Sequence, residues 1–147
     1  MAVDKVGGAI LFLDPESLAV LTSIAIPGAH EMAISADHRF GYVAQFGKWG
    51  RNAAGIGTLT DPGTLIWVLD LHSRAVIGRI DTSPHIGPHG MKFDCEGRLW
   101  VTFESNALGL VDTGALRLEQ AWNLGEPQQR SEEHTSELQS RQYLVCR

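Results

Sequence analysis

The chain has 147 residues, 44% hydrophobic and 20% charged, with 16 glycines and a net charge of −5. Those proportions are ordinary for one small globular domain built of short elements and many turns. No window is rich in Lys or Arg, which argues against a nucleic-acid partner. No run approaches the roughly 18 apolar residues of a membrane span.

The N-terminal stretch MAVDKVGGAILFLDPESL carries Asp4 and only a short apolar run, so it does not read as a secretory signal. Localisation therefore stays open. The two cysteines, Cys95 and Cys146, fall in no CxxC or Cys/His zinc spacing. Cys95, in the turn of FDCEGRLW, is expected to be a bystander rather than a nucleophile.

Taken in chain order, the apolar runs form a repeat. AILFLDPESLAVLTSI (9–24), TLIWVLDLHSRAVIGRI (64–80) and ALGLVDTGALRLEQAW (107–122) are each a strand ending in Asp, a polar turn and a second strand. Val20, Val76 and Leu118 lie six residues after Asp14, Asp70 and Asp112. Ile24, Ile80 and Trp122 lie ten after them. A second unit interleaves with the first. GAHEMAISADHRFGYVAQF (28–46) matches GPHGMKFDCEGRLWVTFE (87–104), with Gly28, His30 and Met32 each 59 residues before Gly87, His89 and Met91. Between Asp14 and Asp70 the interval is 56 residues, against 42 between Asp70 and Asp112, so the first interval holds an insertion.

Runs such as LIWVLD and RLWVTF have the length and the branched and aromatic content of strands. Turn residues bound them: Asp-Pro at 14–15, Pro-Gly at 27–28 and 62–63, and Glu-Gly at 96–97. Four short strands every forty-odd residues mark a β-propeller blade.

The order of GAHEMAISADHRFGYVAQFG, LIWVLDLHSRAVIGRI and GPHGMKFDCEGRLWVTFESNALGLVDTGALRL resembles the YVTN-type, or YncE-like, β-propeller family. The resemblance covers residues 7–125. It implies an all-β, YVTN/WD40-like propeller fragment of about two and a half four-stranded antiparallel blades. The expected layout is a partial propeller over 1–129, with a half blade over 9–26, a blade over 30–81 and a blade over 89–124. Closed propellers hold roughly 4–8 blades, so the expected partners include the missing blades of a longer protein. Relatives of this type are often exported.

If strand A of each blade lines the channel, as the resemblance implies, the D-to-A and B-to-C connections share one rim. His30, Glu31 and His89 then stand at the channel mouth. Glu104 and Asn106 belong to one B-to-C loop, and His85 to a D-to-A loop. The insertion GKWGRNAAGIGTLTDPG (47–63), read as a loop, adds Lys48, Trp49, Arg51 and Asn52. Loops on a rigid scaffold are where function concentrates. Imidazoles, carboxylates and an amide suit a divalent metal or polar ligand. Lys48, Arg51 and Asn52 suit an anion, and Trp49 a ring.

Each candidate also has a structural reading. A His before an inner strand can hydrogen-bond neighbouring backbone, Glu104 and Asn106 can cap a turn, and the insertion can be a flexible loop. His38 and His72 fall in turns away from this set. Asp14, Asp70 and Asp112 read as turn formers that accept backbone N–H groups. The insertion lacks both nucleotide-cradle patterns.

The leading functional expectation is a binding scaffold for a small-molecule or protein ligand, with no catalysis in this fragment and no cofactor named by the sequence. Two others stay open, both resting on analogy with related propellers. One is a metal-dependent gluconolactonase-like hydrolase, with Glu31, Glu104 and Asn106 as candidate ligands. The other is a haem- or quinone-binding redox propeller using His30 or His89, although no CxxCH attachment site is present. Finally, the repeat stops near Gly125, and residues 130–147 (RSEEHTSELQSRQYLVCR) resemble a translated sequencing adapter, as in a metagenomic read. That tail is expected to be non-native and disordered or weakly helical.

Overall fold

The computed structural model describes residues 1–125, so the adapter-like segment over 130–147 lies outside the described residues. Those residues form strands and turns with no helix. The strands are β1 (Ala2–Asp4), β2 (Ala9–Leu13), β3 (Val20–Ala25), β4 (Ala29–Ile34), β5 (Phe40–Arg51), β6 (Gly57–Asp70), β7 (Ala75–Asp81), β8 (Pro88–Phe93), β9 (Leu99–Phe103), β10 (Ala107–Asp112) and β11 (Arg117–Asn123). They make three antiparallel sheets in sequence order: β1-β2-β3, β4-β5-β6-β7 and β8-β9-β10-β11.

The Asp repeat has one physical cause. Asp14, Asp70 and Asp112 each turn Oδ1 onto the chain three residues on, accepting from the backbone N–H of Ser17 (2.8 Å), Ser73 (2.7 Å) and Ala115 (2.9 Å). The following residues, Leu18, Arg74 and Leu116, all take the left-handed conformation, at φ of 57°, 54° and 52°. That conformation is costly for an L-residue, and the Asp side chain helps hold it. Beyond the turn each hairpin carries the same bulge. Leu13 pairs with Val20 and Phe12 with Thr22; Leu69 pairs with Val76 and Val68 with Gly78; Val111 pairs with Leu118 and Leu110 with Gln120. The constant offset of six residues is this shared register.

Two differences from the sequence reading stand out. β1 is a strand that reading did not assign, because three residues are too short to show a period of two. The insertion over 47–63, expected as a loop, is a continuation of β5 and β6. Lys48 pairs with Asp61, Trp49 with Leu59, and Arg51 with Gly57. Its glycines and its Pro-Gly read as turn chemistry, yet they serve two bulges in a twisted ladder. Gly47, at φ 107°, permits the first of these. A Cβ there would stand 2.1 Å from the Asp61 carbonyl oxygen.

The middle sheet is buried on both faces. From β6, Ile66 and Val68 point into a seam with Met91, Leu99, Val101 and Phe103 of the third sheet. Leu69 points the opposite way, into a seam with Ile10 and Phe12 of the first. Strand alternation on a two-sided sheet produces this division directly. Ile66 is fully buried, whereas Ile77 on β7 is 51% exposed. Ile66→Ala is therefore expected to destabilise the chain by about 2–5 kcal/mol, and Ile77→Ala by less than about 0.5 kcal/mol. Denaturant unfolding of the two variants checks this, and equal losses would contradict the seam assignment.

Candidate functional site

The inner strands of the second and third sheets, β4 and β8, lie against each other. Both carry a bulge at the same place. On β4, Ala29 pairs with Gln45 and Met32 with Val43, so His30 and Glu31 together face Ala44. On β8, Pro88 pairs with Phe103 and Met91 with Val101, so His89 and Gly90 together face Thr102. A bulge re-aims side chains that regular alternation would send to opposite faces. Ahead of each bulge sits a left-handed glycine, Gly28 at φ 72° and Gly87 at φ 60°. A Cβ at Gly28 would meet the Gly47 backbone at 2.8 Å.

The result is convergence across the seam. The His30 and His89 ring centroids are 4.1 Å apart. Glu31 Oε1 lies 3.6 Å from His89 Nδ1, an ion-pair distance rather than a hydrogen bond. One donor atom each from His30, Glu31 and His89 lies within 4.8 Å of the other two. Phe46, buried at the end of the regular part of β5, touches both imidazoles, with centroids at 4.9 Å and 5.3 Å. Trp49 stacks on Phe46 at 6.2 Å and is 61% exposed. Lys5, from the turn after β1, places Nζ 3.2 Å from His30 Nε2. His30 Nδ1 is buried and has no hydrogen-bond partner among the described residues.

These surroundings set the protonation of His30. Burial, then the neighbouring His89, then the Lys5 ammonium hold its pKa down at about 4. The imidazole is neutral at pH 7 and able to donate a lone pair.

The other sequence candidates are used differently. Lys48 pairs with Asp61 at 3.5 Å across the hairpin, both well exposed. Arg51 donates to the Gly55 carbonyl at 2.9 Å. Asn52 Oδ1 accepts from Ala54 and Ile56 N–H, both at 3.0 Å, and so ties its own turn. These three hold the hairpin tip, away from the imidazoles in the hydrogen-bond pattern. His85 stacks on Phe103 at 5.1 Å. Glu104 is exposed, and its backbone N–H donates to the Gly87 carbonyl at 3.0 Å. Asn106 is only 7% exposed, adopts φ 60°, and gives its side-chain amide to the Gly125 carbonyl. It closes a turn between blade strands, and Glu31 is grouped with the two histidines and not with Glu104. Cys95 is exposed in its turn.

Sequence reasoning missed Lys5 and Phe46. Lys5 lies in the turn after the unassigned β1 and had no signal of its own. Phe46 had one, because the bulged registers make it the counterpart of Glu104 in the next sheet.

No family model matches the chain, and no curated protein matches it. Among solved structures, Kuenenia stuttgartiensis hydrazine synthase superposes on 80% of the chain with a TM-score of 0.60 at 21% identity. The three sheets are blades of a β-propeller. Dihydro-heme d1 dehydrogenase NirN in complex with DHE aligns over 82% of the chain at 14% identity, with a TM-score of 0.39, too loosely to argue from. The chain spans about a third of the length of these structures, 30% and 34%. Among the described residues, no helix is long and apolar enough to cross a membrane.

The low His30 pKa has a signed consequence. The folded imidazole takes its proton near pH 4, while an unfolded one takes it near 6.5. Stability from this group is complete above pH 6.5 and is lost as pH falls toward 4. In chelator-treated protein, NMR titration of the His30 ring protons is expected to show a midpoint near 4. A midpoint near 6.5 would contradict the seam geometry.

Proposed function

We propose that the chain is part of a YVTN/YncE-like propeller that works as a binding scaffold, holding a small polar ligand at the channel-side seam between two blades. The observation that carries this reading is the convergence of His30, Glu31 and His89 from two inner strands. Residues so far apart in sequence meet because equivalent bulges of adjacent blades face each other, and a rigid sheet seam fixes their spacing without relying on a loop. Phe46 and Trp49 supply an aromatic wall, and Lys5 a positive charge beside it. Pockets with a few convergent polar groups on apolar walls are the usual form of small-ligand sites. The remaining blades of the ring complete the rim in this reading, and they are also the partners through which a larger ligand would be enclosed.

A bis-histidine haem fits less well, since the two rings pack on each other at 4.1 Å with no space for a porphyrin plane between them. The hydrolase reading has less support, because Glu104 lies outside the group that Glu31 forms with the two histidines.

A thermal-shift screen of the full chain against divalent ions, small carboxylates, lactones, quinones and haem tests the scaffold reading. At least one ligand is expected to stabilise the fold, by about 2.7 kcal/mol at a hundredfold excess over its Kd. The shift should vanish in His30→Ala and His89→Ala and persist in Lys48→Ala and Arg51→Ala. A screen with no stabilising ligand, or one whose shift ignores both histidines, counts against the reading.

A further inference from the structure

We propose that His30, Glu31 and His89 bind a divalent first-row transition ion, with Zn2+ the best match. This rests on the seam being the binding point of the scaffold, and it names the ligand held there.

The donor set comes first. Two imidazoles and one carboxylate suit Zn2+, Cu2+, Ni2+ or Co2+, whereas Ca2+ and Mg2+ ask for oxygen. Two backbone-fixed histidines plus a carboxylate, with a position left over, is the ligand count of open three-residue zinc sites.

Distances come next. Ligand bonds of about 2.0–2.1 Å around a tetrahedral ion put donor atoms about 3.3 Å apart. Glu31 and His89 already stand at 3.6 Å, and the third donor lies within 4.8 Å of both. Small side-chain rotations close that gap, because the bulges have already aimed all three groups at one point. His30 contributes Nδ1, a buried nitrogen with no hydrogen-bond partner among the described residues. Side-chain exposures of 23% for His89 and 32% for Glu31 leave an ion partly shielded yet reachable.

Lys5 opposes the ion. When Nδ1 takes a metal, Nε2 carries the ring proton and can no longer accept from the Lys5 ammonium 3.2 Å away. Lys5 is exposed in a turn, so it swings outward as the ion enters. Its charge then weakens binding, and removing it strengthens binding.

The test uses the full chain after chelator treatment, with Zn2+ measured by calorimetry and Co2+ by visible absorption. One ion per chain is expected. Co2+ should give d–d bands without a thiolate charge-transfer band, which separates this site from cysteine binding. His30→Ala, Glu31→Gln and His89→Ala should each weaken Zn2+ binding by more than about a hundredfold, above the 10–100-fold cost of losing an outer-shell partner. Lys5→Ala should tighten it by roughly 2- to 10-fold. Ring-proton shifts of His30 and His89 on Zn2+ addition, in the unsubstituted chain, cover the case in which a variant fails to fold. Absence of Zn2+ and Co2+ binding overturns the proposal, as does a thiolate band or binding that survives loss of both histidines. If no ion binds while another ligand still gives a histidine-dependent thermal shift, the metal is excluded and the scaffold reading stands.

Discussion

Ile66 and Val68 leave β6 on one side and Leu69 on the other, and both sides are dry. The central strands of the middle blade therefore have a seam on each face, while its outer strand β7 is largely exposed. That constraint governs its neighbours. The first and third sheets each have to present a matching apolar face, and the strands have to stack in a fixed register to do so. A slip of one residue would exchange the faces of every strand. The repeated Asp turns and the repeated bulges after them keep the outer hairpins in that register. The seam is also what brings two inner strands close enough for side chains of one blade to reach those of the next.

The candidate site depends on the register being broken at one point. With regular alternation, His30 and Glu31 would face opposite sides of their sheet. The bulge opposite Ala44 puts both where they meet His89. The cost is a half-buried imidazole crowded by a second imidazole and an ammonium, which is why its proton affinity falls. Phe46 makes this tolerable by covering both rings from the β5 side. Groups with strongly shifted titration, held by a rigid frame, are the kind of feature that functional sites concentrate.

Much of this architecture was legible because propeller blades repeat. The Asp-plus-six and Asp-plus-ten offsets encode a turn, a left-handed residue and a bulge, all three present in each outer hairpin. The 59-residue offset encodes the inner strands and so placed His30 beside His89. What repeats do not encode stayed hidden. β1 occupies the place of β5 and β9 in the other blades, but Ala2, Val3 and Asp4 are too few to show a strand period, so the nearby Lys5 went unnoticed. The extended ladder through Lys48 and Asp61 was masked by Gly and Pro, which signal turns in sequence and bulges in this fold. Asn106 read as a rim ligand because side-chain type reveals nothing of direction; its left-handed backbone turns the amide onto Gly125.

The two bulges differ in a way that bears on what the site is for. On β8 the bulge is fastened locally. Thr102 accepts from the Gly90 N–H at 3.0 Å and donates to the Gly90 carbonyl at 3.3 Å, so the hydroxyl serves the backbone. On β4 the corresponding residues are Ala44 and Glu31, and Ala44 has no hydroxyl to offer. A purely structural repeat gains nothing from exchanging a Thr-Gly clasp for an Ala-Glu pair, since a carboxylate near a half-buried seam needs desolvation to be offset. The exchange makes sense if the carboxylate is required at that point. Glu31 points across to His89, and only the blade that lacks the Thr-Gly clasp contributes the acid. One blade position has kept the bulge for the backbone, and its equivalent has turned it over to a side chain.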